Sequence, residues 1–136
     1  MCQSDIKRVL RETMSIAIVG LSPNSDRDSH RVAAYLQGVG YRVLPVNPNA
    51  DEILGEKCYR TLKNIPDEVD MVNVFRSPEH LPQIVEDALE IGVKSLWTQL
   101  GIVHREATGR ASQAGLFVII DKCMMTEHQK LTLDEN

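Results

Sequence analysis

Residues 15–29 read SIAIVGLSPNSDRDS and contain the first unit of the pattern from which the fold class is inferred. The first six of these residues form an apolar run without strict alternation, which is typical of a strand buried on both faces of a parallel sheet. The polar residues that follow Gly20 favour a loop. Residues 29–39 then place Val32, Leu36 and Val39 on one helical face, and Gly40 ends the pattern. This stretch predicts a strand, a loop and a helix in succession.

The same alternation recurs along the rest of the chain. Short apolar runs predict further strands at residues 42–46, 70–75, 95–98 and 117–120. Helical spacing predicts helices at residues 5–13, 78–91 and 104–114, and a short helix around residues 60–64. The helix at 78–91 has the clearest signals, because Ser77 can cap it, Pro78 suits its first position and Gly92 follows its end.

Strands that alternate with helices predict an α/β fold with right-handed crossovers. We expect a doubly wound parallel sheet of five strands, in the order 3-2-1-4-5, with helices on both faces. The flavodoxin-like order 2-1-3-4-5 is the alternative. The chain has 136 residues and is expected to form one domain, with a leading helix in residues 1–13 and a C-terminal tail in residues 121–136.

Composition narrows the classes of function. The formal net charge of −4 argues against broad nucleic-acid binding, which needs a basic face. The three cysteines, Cys2, Cys58 and Cys123, are far apart and odd in number, so neither a disulfide framework nor a zinc site is indicated. No apolar run reaches the ~20 residues that span a bilayer. We therefore expect a cytoplasmic protein with reduced thiols and no membrane contact.

Ligands of open α/β sheets bind beyond the carboxyl ends of the strands. The first loop there carries Gly20 for a tight turn, hydroxyls on Ser22 and Ser25, and the guanidinium of Arg27. Together with a helix N-terminus these groups suit a phosphate. The same residue types also favour ordinary capped turns, and that interpretation stays open.

The first loop departs from the dinucleotide fingerprint G-x-G-x-x-G. Ser22 and Ser25 stand where its second and third glycines would be, and Asn47 stands where NAD proteins carry a ribose-binding carboxylate. Both departures weaken an NAD interpretation. After the second strand, Pro48 offers a flat apolar surface for a base, or simply a rigid exit from the strand.

The remaining loops carry weaker signals. Phe75 and Arg76 could flank an adenosine or a phosphate, whereas Trp97 is expected in the core. Near the C-terminus, Cys123 and His128 could form a nucleophile pair. The preferred interpretation is a tail that covers the end of the sheet through Met124, Met125 and Leu131, with no catalytic and no metal-binding role.

Taken in order, these motifs resemble the small single-domain CoA-binding proteins, a Rossmann-like family related to the CoA-binding domain of succinyl-CoA synthetase α subunits. The resemblance runs from about residue 14 to residue 131. It rests on VGLSPNSDRDS, GYRVLPVNP, VDMVNVFRSP, WTQLGI and DKCMMTEH. Where the family often has Asp in the third predicted strand, this chain has Asn73.

The resemblance implies a set of residues that bind CoA. Gly20, Ser22, Ser25 and Arg27 match the phosphate loop. The segment that borders the adenosine is matched by Val46, Asn47 and Pro48, and a loop beside the nucleotide by Phe75, Arg76 and Ser77. The loop near the pantetheine arm is matched by Thr98, Gln99 and Gly101.

The expected function is therefore binding of CoA or an acyl-CoA, without a reaction catalysed by this chain. The alternatives are an NAD(P)-binding enzyme and an acyl-transfer enzyme that uses Cys123, whose thiol would need a lowered pKa. A response-regulator-like receiver is disfavoured, because no acidic cluster follows the first and third predicted strands.

Overall fold

A computed structural model describes residues 3–135, and the surroundings of side chains through residue 133. Cys2 lies outside the described residues. The strands are β1 (Ser15–Val19), β2 (Arg42–Val46), β3 (Glu52–Ile53), β4 (Glu56–Lys57), β5 (Met71–Val74), β6 (Ser95–Thr98) and β7 (Phe117–Ile119). The α-helices are α1 (Gln3–Glu12), α2 (Asp28–Gly38), α3 (Leu81–Ile91), α4 (Arg105–Gln113) and α5 (Met124–Glu135).

Five strands form one parallel sheet in the order β2-β1-β5-β6-β7, and β3 and β4 form a separate antiparallel hairpin. Alternate residues of β1 enter two different cores. Ile16 and Ile18 pack in the cluster that includes residues of α1, α2 and α5, and Ala17 and Val19 pack in the cluster that includes residues of α3 and α4. The predicted α/β class, the parallel five-stranded sheet and the helices on both faces are confirmed.

The order of the strands corrects the prediction. Counted among the five long strands alone, the order is 2-1-3-4-5, the alternative, and not 3-2-1-4-5. Among the described residues, the outer edge of β2 carries a single parallel bridge between Val46 and Tyr59, with the amide of Asn47 donating to the Tyr59 carbonyl at 2.9 Å. Beside β2, where the order 3-2-1-4-5 has a third strand, the structure has one bridged residue, Tyr59. The chain then crosses back, and β5 pairs with β1.

The helices follow the predicted spacing. α2 and α4 lie within one residue of their predicted bounds, and α1 occupies most of the predicted leading helix. The segment 78–91 begins with a 3-10 turn at Pro78–His80 and continues as α3, and Gly92 ends it in the left-handed conformation at φ 77°. The short helix expected around residues 60–64 is a 3-10 turn at Leu62–Asn64.

The C-terminal segment differs from the predicted tail, because residues 124–135 form the helix α5. Met124 is fully buried and Leu131 is nearly so, and both pack in the cluster that contains Ile16 and Ile18 of β1. Trp97 is also fully buried, and its indole N–H donates to the Lys122 carbonyl at 2.8 Å. Within the described residues, no helix has the length and apolar character that crossing a bilayer requires.

Candidate ligand-binding site

Loops from β1, β2, β5 and β6 meet at the carboxyl edge of the sheet. In the sheet, β1 lies between β2 and β5. The strand order reverses at β1, and open α/β sheets form a ligand-binding crevice at such a switch point. Among the cavities that the described residues form there are three that we name the proline, loop and cysteine cavities.

The three cavities share walls and form one groove. The proline cavity, about 280 Å³, is lined by Val19, Gly20, Val46, Pro48, Arg60, Thr61, Leu62, Arg76, His80, Gln83, Ile84 and Asp87. The loop cavity, about 530 Å³, is lined by Gly20, Ser22, Asp26, Arg27, Asp28, Ser29 and Phe75. The cysteine cavity, about 300 Å³, is lined by Asp28, Arg31, Val32, Phe75, Gln99, Leu100, Ile102, Cys123 and Met125. Gly20 joins the first two cavities, and Asp28 and Phe75 join the last two.

Gly20 lies where the first two cavities meet, in a conformation that favours glycine. Its φ is 89°, and its amide donates to the Val46 carbonyl at 3.0 Å. A Cβ placed there would lie 3.0 Å from Cδ of Arg76 and 3.2 Å from the carbonyl carbon of Phe75. The absence of a side chain therefore lets the loops after β1 and β5 approach each other closely.

Hydrogen bonds within the first loop fix its shape. The Ser22 amide donates to Oγ of Ser29 at 3.0 Å, and the Asn24 amide donates to Oγ of Ser22 at 3.1 Å. These hydroxyl oxygens therefore accept hydrogen bonds from backbone amides of the loop, as the capped-turn interpretation expects. Each hydroxyl still has a hydrogen to donate, and Ser22 lines the loop cavity. Arg27 occupies the N-cap position of α2 and makes no capping bond with its side chain.

Asn47 ties the first two loops together. Its amide nitrogen donates to the Leu21 carbonyl at 3.0 Å, and its Oδ1 accepts from the Asn49 amide at 2.8 Å. Beneath it, Cys58 donates to the Asn47 carbonyl, and burial raises the pKa of this thiol. Asn47 therefore positions backbone, while its neighbours Val46 and Pro48 line the proline cavity.

The loop after β6 is held by hydrogen bonds to its own backbone, to Asp121 after β7 and to Asn73 of β5. Oγ1 of Thr98 donates to the Ile102 carbonyl at 2.8 Å and accepts from the Asp121 amide at 3.0 Å. The Gly101 amide donates to Oδ1 of Asp121 at 2.6 Å. Gln99 is buried and donates to Oδ1 of Asn73 at 3.0 Å. Of the predicted residues in this loop, Gln99 lines the groove, whereas Thr98 and Gly101 shape the loop.

The structure brings most of the sequence-predicted site residues into the groove. Those that line it are Gly20, Ser22, Arg27, Val46, Pro48, Phe75, Arg76 and Gln99, and those that do not are Ser25, Asn47, Ser77, Thr98 and Gly101. The sequence reasoning missed Arg60, Thr61 and His80. Arg60 comes close only because Tyr59 bridges to β2, and no local pattern announces that bridge.

Cys123 and His128 lie in different environments. Cys123 is half-buried and lines the cysteine cavity. Nδ1 of His128 shares a hydrogen bond of 2.8 Å with the Tyr35 hydroxyl, and its ring makes edge contacts with Tyr35 and Tyr41. His128 lines a cavity at the amino edge of the sheet. The Cys–His nucleophile pair considered from the sequence is therefore absent from the described residues.

Positive charge without a partner gathers at the carboxyl edge. Most arginines and lysines in residues 3–133 pair with a carboxylate or lie over an aromatic ring, and Lys7 and Arg11 have interaction partners as well. Those for which the described residues offer neither partner are Arg27, Arg60, Arg76, Arg105 and Lys122. Each follows the carboxyl end of a strand, or the Tyr59 bridge beside β2. Of these, Arg27, Arg60 and Arg76 line the groove, so an anion there would meet unneutralised cations on a chain of net negative charge.

A larger cavity, about 760 Å³, lies at the amino edge and suits an anion less well. Asp67, Glu68 and Asp70 line it. Arg42 is paired with Asp67 there, and the Met14 amide donates to the carboxylate of Asp70 at 2.8 Å. Charge therefore favours the smaller cavities at the carboxyl edge. No group of three His, Cys, Asp or Glu residues able to hold a metal occurs within the described residues.

Comparison with known proteins identifies the family. Residues 14–129 match the family described as CoA binding domain. The chain belongs to this CoA-binding family. The resemblance found in the sequence is thereby confirmed.

Relatives of this CoA-binding domain include proteins of similar length and segments of larger enzymes. The chain is 42% identical over 126 residues to the uncharacterized protein YneT of Bacillus subtilis, covering 93% of each. A hypothetical protein from Pyrococcus horikoshii has a similar solved structure, with a TM-score of 0.94, 40% identity and coverage of 97% of this chain and 93% of that one. An ADP-forming acetate–CoA ligase of Archaeoglobus fulgidus is 34% identical over 82 residues, which are 59% of this chain and 12% of the ligase.

Proposed function

We propose that this chain binds CoA or an acyl-CoA along the groove at the carboxyl edge and catalyses no reaction of its own. The observation that carries the proposal is the continuity of the proline, loop and cysteine cavities through Gly20, Asp28 and Phe75. CoA has three parts in the same succession, which are an adenosine, a diphosphate and a pantetheine arm. Membership in the CoA-binding family supports this assignment.

The adenosine is assigned to the proline cavity. Val46, Leu62 and Ile84 are buried there, and Pro48 adds an exposed rigid edge. Apolar walls with a few polar groups are typical of sites for a flat aromatic ligand. The polar residues around these walls are Arg60, Thr61, Arg76, His80, Gln83 and Asp87.

The diphosphate is assigned to the loop cavity. α2 begins at Asp28, and the free N–H groups of a helix start favour an anion. Arg27 adds a guanidinium without a carboxylate partner among the described residues, and Ser22 adds a hydroxyl donor. Asp26 and Asp28 also line this cavity. Arg31 is paired with Asp28, so part of this negative charge is already neutralised.

The pantetheine arm is assigned to the cysteine cavity. Phe75, Ile102 and Met125 provide apolar contact there, and the Gln99 amide provides a polar group for the amides of the arm. The arm would run towards Cys123. His128 is engaged with Tyr35 at another edge of the sheet and is not placed to activate this thiol, so we assign Cys123 no catalytic role. A cytoplasmic location, where CoA and reduced thiols occur together, is part of the proposal.

Calorimetric titration with CoA, acetyl-CoA and NAD, in the presence of a reductant, tests the proposal. We expect saturable binding of CoA or acetyl-CoA and far weaker binding of NAD. NAD proteins usually bind the ribose with a carboxylate, whereas here the Asn47 amide is already bonded to the Leu21 carbonyl. Tight binding of NAD without binding of either CoA compound would overturn the proposal.

A further inference from the structure

Resting on the proposed CoA site, we infer that the proline cavity selects the 3′-phosphate that distinguishes CoA from dephospho-CoA, with Arg60 as the specificity-determining residue. Arg60 lines the proline cavity and is not among the residues that line the loop cavity. Its charge is therefore placed for a phosphate at the nucleoside end of the ligand. The loop cavity, to which the diphosphate is assigned, has its own arginine in Arg27.

The charges around this cavity leave room for one more anion. Neither Arg60 nor Arg76 has a carboxylate at ion-pairing distance among the described residues. Asp87 is the acidic residue in the cavity wall, and it already interacts with Gln83 at 2.9 Å and with Lys63 at 3.9 Å. Guanidinium groups bind phosphate oxygens through two parallel N–H donors.

Arg76 supports the same end of the ligand. Its terminal nitrogen lies 3.0 Å from Nε2 of His80. Because a guanidinium can only donate, Nε2 accepts, and the imidazole holds Arg76 in place without neutralising its charge. The aliphatic part of Arg76 lies against Gly20, where the proline and loop cavities meet. A ribose between the two cavities would thus have Arg76 on its diphosphate side and Arg60 on its outer side.

The competing interpretation is that Arg60 is a solvated surface residue without a ligand. Under the proposed interpretation, the exposure of Arg60 means that its contact with a phosphate is screened and worth about 1 kcal/mol. That energy corresponds to about a fivefold difference in affinity. The inference therefore predicts a moderate preference for the 3′-phosphorylated ligand that depends on one side chain.

The test compares CoA and dephospho-CoA by calorimetry on the parent protein, Arg60→Gln and Arg105→Gln. Arg105 is the matched control, because it is also an exposed arginine without a carboxylate partner among the described residues, and it lines none of the three cavities. We expect the parent and Arg105→Gln to bind CoA about fivefold more tightly than dephospho-CoA. Arg60→Gln should bind both ligands as the parent binds dephospho-CoA.

Other outcomes separate the inference from the proposed function. Equal affinity of the parent for both ligands, or an equal loss for both in Arg60→Gln with an unchanged melting temperature, overturns the inference and leaves CoA binding in place. Failure of the parent to bind either ligand overturns the proposed function, and the inference falls with it.

Discussion

Replacing Gly20 by alanine tests the junction between the proline and loop cavities. The substitution adds one methyl group at φ 89°, a backbone conformation that costs an L-residue roughly 1–2 kcal/mol. The new Cβ would also meet Cδ of Arg76 at 3.0 Å and the carbonyl carbon of Phe75 at 3.2 Å. Arg76 can rotate away, but the Phe75 backbone is held by a hydrogen bond of 2.8 Å from its amide to the Val19 carbonyl.

Crowding against a fixed backbone adds about 1–3 kcal/mol to the conformational cost. The free energy of unfolding is thus expected to fall by about 2–5 kcal/mol in Gly20→Ala, a large part of the 5–15 kcal/mol typical of a domain. Gly115→Ala is the matched control. Gly115 has φ 100°, yet a Cβ there would meet nothing within 4 Å. We expect the control to lose only the conformational term of roughly 1–2 kcal/mol.

Urea denaturation of the parent and both variants measures these losses. CoA titration of the variants that remain folded measures their effect on the groove. Gly20→Ala should bind CoA at least several-fold more weakly, because it displaces Arg76, and Gly115→Ala should bind as the parent does. Equal destabilisation of the two variants would refute the close approach at Gly20. Unchanged CoA affinity in Gly20→Ala would refute a role for this junction in binding.

Three further predictions concern residues elsewhere in the chain. Arg27→Ala should weaken CoA binding about fivefold, more at low salt than at high salt, with an unchanged melting temperature because the side chain is exposed; equal salt dependence in parent and variant would contradict a phosphate contact. Cys123→Ser should change CoA affinity less than tenfold under reducing conditions, and a larger loss at constant melting temperature would place the thiol in the binding machinery. Burial, with a smaller effect of Tyr35, raises the pKa of Tyr41 to about 12. Because the unfolded chain releases this proton near pH 10, the free energy of unfolding should fall between pH 10 and pH 12; if it falls as much in Tyr41→Phe, Tyr41 is not the cause.

Local patterns predicted the elements of the fold well. The apolar stripe of residues 81–88 predicts α3, and its four side chains Leu81, Ile84, Val85 and Ala88 are all buried. Local patterns could not give the strand order, because strand pairing is set by contacts between residues far apart in sequence, such as those between β1 and β5. α5 was missed because its buried face includes the carboxylate of Glu127, which accepts from Lys130 at 3.1 Å.

The candidate site, like the fold, could be predicted from the sequence only in part. The rule that ligands bind beyond the carboxyl ends of strands selected the loops that contain Gly20, Pro48 and Phe75, and all three line the groove. The sequence could not predict in which direction each side chain of these loops points. Asn47 and Thr98 lie in the selected loops, but their polar atoms bond to neighbouring backbone.

A crystal structure of the chain with CoA would show where each part of the ligand lies. We predict the adenine against Val46 and Pro48, the diphosphate over Gly20 and Ser22, and the pantetheine arm past Phe75 towards Cys123. CoA seated at the amino edge of the sheet, in the cavity lined by Arg42 and Asp70, or running along the groove in the opposite direction, would contradict this placement.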